Sequence, residues 1–145
     1  MKYLLDTCLI SELMRTRPDA GVLDWVRNHD EIALYLSALT LGEIEKGIAK
    51  LAAGQKADQK AKRAKLETWL RDDLRMRFEG RILPVSDEIC LRWGRVSADA
   101  ELRGEKIPVI DGLIAATALV HGLTVVTRDA ADIERAGAKI VNPWR

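Results

Sequence analysis

The chain has 145 residues, of which 48% are hydrophobic and 31% are charged. This length is typical of one domain around one hydrophobic core, and we expect residues 1–145 to form a single domain. The 23 basic and 22 acidic residues nearly cancel, so binding to a polyanion requires a local patch and not the overall charge.

Short β-type runs alternate with longer helical patterns along the chain. We predict helices over residues 8–14, 19–26, 41–52, 57–78, 86–102 and 111–120, and strands over 3–5, 32–37, 81–85, 123–127 and 139–141. Several strands are nearly continuous apolar runs, as expected when helices cover both faces of a sheet. The alternation predicts one α/β domain with a mainly parallel sheet.

The amino-terminal segment and the cysteines exclude other classes of protein. The first apolar run is interrupted by Asp6 and is too short for a signal-peptide core or a membrane span. Cys8 and Cys90 fit no zinc or redox spacing, and isolated thiols indicate a reducing compartment, with one disulfide between them left open. We therefore expect a cytoplasmic protein with no membrane partner.

Four acidic residues fall where a parallel sheet places its functional crevice, beyond the carboxyl ends of its strands. Asp6 follows the first predicted strand, and Asp129 follows the fourth. Glu43 lies in the first turn of the helix after the second strand, and Asp111 begins the helix that leads into the fourth. We expect these carboxylates to share one edge of the sheet.

Each acid also has a simpler explanation. Asp6, Asp111 and Asp129 could each cap the helix that follows. Glu43 could be the partner of Thr40 in a capping box. However, caps need not face a common crevice, whereas clustered carboxylates raise one another's pKa and usually hold a cation.

The types of ligand indicate which cation this is. Oxygen ligands without cysteine or histidine suit Mg²⁺ or Mn²⁺ and not zinc. Mg²⁺ leaves positions open for phosphate oxygens and a nucleophilic water, which predicts hydrolysis of a phosphodiester with one or two ions. Metal-free ribonucleases normally use histidines, but His29 and His121 lie away from the predicted crevice. We interpret both histidines as structural or solvent-facing.

Basic and aromatic residues add weaker signals. Arg128, beside Asp129, is the best placed candidate for binding phosphate. Three tryptophans fall on apolar helix faces and are expected in the core or an interface, namely Trp25, Trp69 and Trp93. The long predicted helix carries a basic series, which we interpret as a solvated face more readily than an RNA-binding patch. The series comprises Lys56, Lys60, Lys62, Arg63, Lys65, Arg71, Arg75 and Arg77.

Several ordered motifs together resemble PIN-domain nucleases, specifically the VapC-like or FitB-like toxins of type II toxin–antitoxin modules. The resemblance extends along the whole chain. The motifs are LLDT at 4–7, ISE at 10–12, LSALT at 36–40, GE at 42–43, RILP at 81–84, DGLIAATA at 111–118, LTVVTRD at 123–129 and NPW at 142–144.

The resemblance implies a PIN-like three-layer α/β/α fold with a roughly five-stranded sheet. It implies an endoribonuclease dependent on Mg²⁺, or on Mn²⁺ as a substitute, that acts as a toxin on RNA. A small antitoxin with a DNA-binding half would hold it inactive, and the chain would form a homodimer that pairs again in that complex. The family's acidic quartet is matched by Asp6, Glu43, Asp111 and Asp129, with Asp6 and Asp111 as its most consistent metal ligands.

Further residues near the acids bear on the comparison with the family, and Cys8 departs from its pattern. Thr127 matches a hydroxyl that hydrogen-bonds into the site, and Thr7 flanks it. Cys8 stands where the family usually has Asn, and a thiol is a poorer hydrogen-bonding group, so rate or metal affinity is expected to suffer. Asp132 is a second candidate for the fourth acid.

Other functions fit the sequence less well or stay open. A phosphatase of the haloacid-dehalogenase type needs a second Asp where this chain has Cys8, and a receiver domain needs an acidic pair that is not evident. A PIN-fold regulatory module acting through an antitoxin and DNA stays open. So does a nuclease directed at DNA, since no residue is an evident reader of the 2′-hydroxyl.

Overall fold

The central sheet has five strands in the order β3-β2-β1-β4-β5, and every pairing is parallel. It is described by a computed structural model that covers residues 1–51 and 57–145. The strands are β1 (Tyr3–Leu5), β2 (Leu34–Ser37), β3 (Ile82–Leu83), β4 (Thr124–Val126) and β5 (Ile140–Val141). The predicted mainly parallel sheet is confirmed.

Helices connect successive strands. They are α1 (Thr7–Leu13), α2 (Ala20–Arg27), α3 (Ala38–Leu51), α4 (Ala57–Thr68), α5 (Arg75–Arg77), α6 (Asp87–Leu102), α7 (Val109–His121) and α8 (Ala130–Arg135). Among the described helices, none is both long enough and apolar enough to cross a bilayer.

Two hydrophobic clusters lie on opposite faces of the sheet. Consecutive residues of a strand point to opposite faces, so Leu4 belongs to one cluster and Leu5 to the other. Val125 and Val126 divide in the same way. Residues of α6, α7 and α8 complete the first cluster, and residues of α1, α2 and α3 contribute to the second. The expected three-layer α/β/α arrangement is therefore confirmed.

Three features of the helices and strands differ from the prediction. The segment Glu31–Ala33 is a 3₁₀ helix that leaves Ile32 76% exposed, so β2 begins only at Leu34. The long helix expected over 57–78 is interrupted by a π-helical turn, Trp69–Leu74, which keeps Leu70 and Leu74 in the second cluster. α8 was not predicted because a six-residue helix is too short to show a helical period.

The carboxyl end of α7 is as the sequence predicted. Gly122 ends α7 in the left-handed conformation, with φ of 66°, as its position after His121 predicted. The predicted end of the third helix at Ala52 and the basic candidate Lys56 lie outside the described residues.

The strand order has a reversal between β1 and β4. From β1 the sheet continues through β2 and β3 on one side, and through β4 and β5 on the other. In open α/β sheets a crevice forms beyond the carboxyl ends of the strands at such a reversal. Asp6 and Thr127 directly follow the two strands that flank it.

Candidate active site

Asp6 lies at the end of β1 with only 7% of its surface exposed. Its backbone N–H donates to the carbonyl oxygen of Val126 at 3.1 Å. Its side chain accepts two short hydrogen bonds, from the Thr7 N–H at 2.9 Å and from the Thr127 hydroxyl at 2.8 Å, and a long one from the Cys8 thiol at 3.9 Å. Burial raises the pKa of Asp6 above its usual value, and nearby Glu43 and Asp129 raise it further, although both short hydrogen bonds oppose the rise.

Thr127 connects Asp6 to the segment that carries Asp129. Its side chain is fully buried, and its backbone N–H donates to the carbonyl oxygen of Val141 at 3.0 Å. The same hydroxyl that donates to Asp6 accepts the N–H of Asp129 at 3.0 Å. One threonine therefore fixes both the orientation of Asp6 and the turn after β4.

Glu43 reaches the same edge from α3. Because α3 begins at Ala38, directly after β2, Glu43 stands in the second turn of the helix and not in the first. Thr40 is buried inside the helix, so the capping-box explanation of this pair is wrong. The Thr7 hydroxyl donates to the Glu43 carboxylate at 2.6 Å and lies 3.2 Å from the Thr40 hydroxyl.

Asp111 and Asp129 are carried by the starts of α7 and α8. Pro108 occupies the N-cap of α7, which places Asp111 in the first turn, and Asp129 occupies the N-cap of α8. Within residues 1–51 and 57–145, neither aspartate accepts a capping hydrogen bond, whereas Asp6 does cap α1. Capping therefore does not explain two of the four acids.

The four carboxylates lie within electrostatic range of one another. The pKa of Asp111 is raised, first by burial and then by the charges of Asp6, Asp129 and Glu43. None of the four forms an ion pair with a basic side chain of the described chain. This edge of the sheet therefore carries negative charge that the described residues do not neutralise.

These donors do not form a closed cage. In the described parts of the chain, no three His, Cys, Asp or Glu side chains lie close enough together to surround a metal ion. Mg²⁺ keeps several waters and binds proteins through one or two carboxylates, so oxygen donors that are near but not touching suit this ion.

The PIN-domain family matches residues 3–139. The chain belongs to the PIN-domain family. This PIN domain is 38% identical over 141 residues to a VapC ribonuclease of Sinorhizobium fredii, covering 97% of this chain and 96% of that protein. It is 36% identical over 141 residues to toxin FitB of Neisseria gonorrhoeae, covering 97% of each chain.

A solved structure agrees with these relatives. The fold of this PIN domain matches a chain in the structure of FitAB bound to a DNA fragment with a TM-score of 0.87 and 34% identity, over 99% of this chain and 96% of that chain. The predicted PIN fold and the predicted similarity to VapC-like and FitB-like toxins are therefore confirmed.

Cys8, the departure from the family pattern, lies inside the acidic site of this PIN domain. Its sulfur is 3.5 Å from the Thr127 hydroxyl and 3.9 Å from a carboxylate oxygen of Asp6. Burial raises the pKa of the thiol, and the charges of Asp6 and Asp129 raise it further. Cys8 is therefore a neutral, weak hydrogen-bonding neighbour of Asp6, and both it and Cys90 are free cysteines.

The two remaining candidates near Asp129 are engaged elsewhere. Asp132 forms an ion pair with Arg135, one helical turn further along α8, which favours Asp129 as the fourth acid. The Arg128 guanidinium lies over the Trp144 ring, 5.3 Å from its centroid. Trp144 thus gains a partner that the sequence did not indicate.

The histidines and the other tryptophans occupy structural positions. His29 lies 2.6 Å from the Trp25 carbonyl oxygen and stacks on the Trp25 ring, while His121 is exposed at the end of α7. Trp25 and Trp69 pack against the second hydrophobic cluster, as predicted. Neither histidine contributes to the electrostatics of Asp6 or Asp111.

An open groove of about 590 Å³ adjoins Glu43. Two of its lining residues were not identified as candidate functional residues from the sequence. These residues, Lys46 and Lys50, follow Glu43 at helical spacing on α3. That spacing was the signal that could have found them. The groove is lined by Ala38, Leu39, Gly42, Glu43, Lys46, Gly47, Lys50, Val85 and Ile110.

Proposed function

We propose that this PIN domain, acting as one unit over residues 1–145, is a Mg²⁺-dependent endoribonuclease and the toxin of a toxin–antitoxin module. The observation that carries the proposal is Asp6, a buried carboxylate with a raised pKa that faces further acids. The VapC ribonuclease and FitB relatives, each covered over nearly its whole length, support the same function.

We assign the metal to Asp6 and Asp111, with Glu43 and Asp129 completing the acidic set. Held by these carboxylates, Mg²⁺ or its substitute Mn²⁺ would supply the positive charge that balances them and the Lewis acidity that activates a phosphodiester and a water. The raised pKa values of Asp6 and Asp111 agree with this assignment, because both groups lack a compensating positive charge in the described chain.

The hydroxyl groups of the site hold the carboxylates in place. Thr127 donates to one oxygen of Asp6, and the Thr7 N–H donates to the other. The Thr7 side chain fixes Glu43 through a 2.6 Å hydrogen bond. These bonds restrict the side-chain rotamers before substrate arrives, and such preorganisation keeps the reorganisation needed during reaction small.

We further propose a cytoplasmic protein whose partner is a DNA-binding antitoxin. The similarity to a chain of FitAB, a complex solved with DNA, supports this partner at 34% identity. A homodimer that pairs again in the antitoxin complex completes the assembly. RNA is the proposed substrate.

The experiment uses protein purified free of antitoxin and incubated with structured RNA and Mg²⁺. Cleavage is expected, and a chelator is expected to abolish it. Asp6→Asn should lower kcat/KM by at least about 100-fold, since even outer-shell substitutions at metal sites cost roughly 10- to 100-fold. Asn retains helix-capping capacity, so the variant is expected to fold. Asp132→Asn is the matched control and should retain activity, because Asp132 is paired with Arg135.

A second function is favoured by one observation, the thiol of Cys8 beside Asp6. A catalytically weak PIN module would act through its antitoxin and DNA. Folded protein that binds its antitoxin but cleaves no RNA would support that function and contradict ours. Cleavage of DNA in preference to RNA would instead indicate a DNA-directed nuclease.

A further inference from the structure

We propose that the groove along α3 binds single-stranded RNA, with Lys46 and Lys50 contacting the phosphates next to the cleaved bond. This inference rests on the proposed ribonuclease function and names the residues that would hold its substrate. It is carried by the position of the two lysines, by their charge environment and by the composition of the groove.

The first observation is position. Glu43, Lys46 and Lys50 are spaced by three and four residues, so they follow one another along one face of α3. A helix rises 1.5 Å per residue, which places the two lysines roughly 4.5 and 10.5 Å beyond Glu43 along the axis. Both lysines line the groove that begins at Glu43. A strand with one phosphate at the acidic site would therefore pass both ammonium groups.

The second observation is charge. Within the described residues, Lys46 and Lys50 form no ion pair. The basic series noted in the sequence is partly neutralised, since Arg71 of the π-helical turn pairs with Glu45 of α3. Arg63 and Arg77 also have acidic partners, Glu67 and Glu31. Lys46 and Lys50 are therefore better available to a polyanion than Arg63, Arg71 and Arg77, the paired members of the basic series.

The third observation is the composition of the walls. Gly42 and Gly47 line the groove, and a Cβ added to either would meet no atom within 4 Å. Packing in the described chain therefore does not require glycine at these helix positions, where glycine is less stable than alanine. Their effect is to leave bare backbone in the groove, which permits close approach of a ligand.

The groove is also amphipathic. Val85 and Ile110 line it together with the lysines, and each is more than a third exposed. A single strand can place its phosphates on the lysines and turn its bases toward these apolar side chains. A duplex buries its bases in the stack and presents little for such a surface to contact, so the groove favours unpaired RNA.

Binding of a single-stranded RNA oligonucleotide to the Asp6→Asn protein, measured by fluorescence anisotropy over a range of salt concentrations, tests the inference. We expect Lys46→Gln/Lys50→Gln to weaken binding at low salt. The slope of log K against log salt should become shallower by about 1.4, because each lost phosphate contact on a single strand contributes roughly 0.7. Lys60→Gln/Lys65→Gln, on exposed positions of α4, removes the same charge and should leave affinity and slope unchanged.

Hydrolysis of bis-p-nitrophenyl phosphate by proteins with Asp6 intact separates this inference from the proposed function. This diester has a single phosphate and no neighbouring phosphate to place on the lysines, so its hydrolysis by the wild-type protein tests the acids alone. The groove variant should show a raised KM for RNA, whereas the α4 variant should show the wild-type KM. An unchanged RNA affinity in the groove variant, or a loss in the α4 variant instead, would overturn the inference. So would a groove variant that loses antitoxin binding but keeps RNA binding. Failure of wild-type protein to hydrolyse either substrate would overturn the proposed function itself.

Discussion

Asp6 and Glu12 lie at opposite ends of α1, and both carboxylates are buried, with 7% and 4% of their surface exposed. Glu12 accepts hydrogen bonds from the Trp144 indole N–H and the Asp19 N–H, each at 3.1 Å, and pairs with Arg15 at 3.4 Å. The Trp144 bond is the largest of the effects that hold its pKa below the usual value. Asp6 also accepts two short hydrogen bonds, yet its pKa is raised.

The difference between the two carboxylates is the sign of the charge around them. The guanidinium of Arg15 neutralises the Glu12 carboxylate, and the Trp144 indole N–H donates a hydrogen bond to it, so its partners all come from within the protein. Glu12 therefore has a structural role in joining α1 to the C-terminal segment. Asp6 is surrounded by other carboxylates and by hydroxyls, which orient it without neutralising it. A buried carboxylate in such surroundings has a place for an external cation.

The largest expected effect separates chemistry from stability at Asp6. Asp6→Asn should lower RNA cleavage by at least about 100-fold, because it removes a proposed metal ligand. Its Tm without metal should equal or exceed that of the wild type, because the substitution removes a buried charge among like charges. Kinetics and thermal unfolding of the same preparation measure both. A large loss of Tm together with activity would mean that Asp6 is structural, like Glu12.

Trp144→Phe is the corresponding test at Glu12. The substitution keeps an aromatic ring but deletes the N–H that donates to Glu12. We expect Tm to fall by about 3–8 °C, as estimated from the cost of a buried acceptor that loses its donor. The activity per folded molecule should be retained within a few-fold. An unchanged Tm would contradict the structural role of Glu12 and of its hydrogen bond with Trp144.

The two carboxylates should also respond to pH in opposite directions. The pKa of Glu12 is lowered from 4.5, so its contribution to stability is present above that pH and is lost as pH falls through the folded value. The pKa values of Asp6 and Asp111 are raised from 3.8, so their contribution is present below that pH and is lost as pH rises through the folded values.

Urea unfolding of the metal-free protein and its variants between pH 3 and 7 measures these contributions. Trp144→Phe should reduce the loss of stability on the acid side. Asp6→Asn should reduce the loss as pH rises from the acid range toward neutrality. Identical pH profiles for the wild type and both variants would contradict the cited directions.

The smallest effect is expected at Trp93, whose indole N–H is buried without a hydrogen-bond partner among the described residues. Trp93→Phe removes a donor that stabilises nothing, so stability should change by less than about 1 kcal/mol. The Trp93 ring packs tightly against α7, as shown by the distance of only 3.0 Å between the ring and a Cβ built on Gly112. A loss as large as that of Trp144→Phe would mean that packing, and not the hydrogen bond, decides both results.

The acids and the sheet could be predicted because both depend on local patterns. Apolar runs of strand length indicated β1 and β4, and the residues that directly follow them lie at the strand reversal. The capping-box alternative for Thr40 and Glu43 was wrong, because their spacing fits a capping box but α3 begins directly after β2, before Thr40. A spacing pattern does not reveal where a helix begins when no loop precedes it.

The remaining features depend on contacts that no local pattern contains. Trp144 and Glu12 are separated by 132 positions, and nothing in either segment indicates that the indole N–H meets the carboxylate. The basic series of the long predicted helix contains many residues, but charge pairing decides which of its cations are available to a ligand. Arg71 and Glu45 pair because the π-helical turn Trp69–Leu74 packs against α3.

A crystal structure of the protein soaked with Mn²⁺ and measured at the manganese absorption edge tests the shared metal site most directly. We predict an anomalous peak within about 2.0–2.3 Å of oxygens of both Asp6 and Asp111, absent from Asp6→Asn crystals treated in the same way. A peak held by neither aspartate, or no peak at this edge while Mn²⁺ supports RNA cleavage in solution, would contradict the assignment.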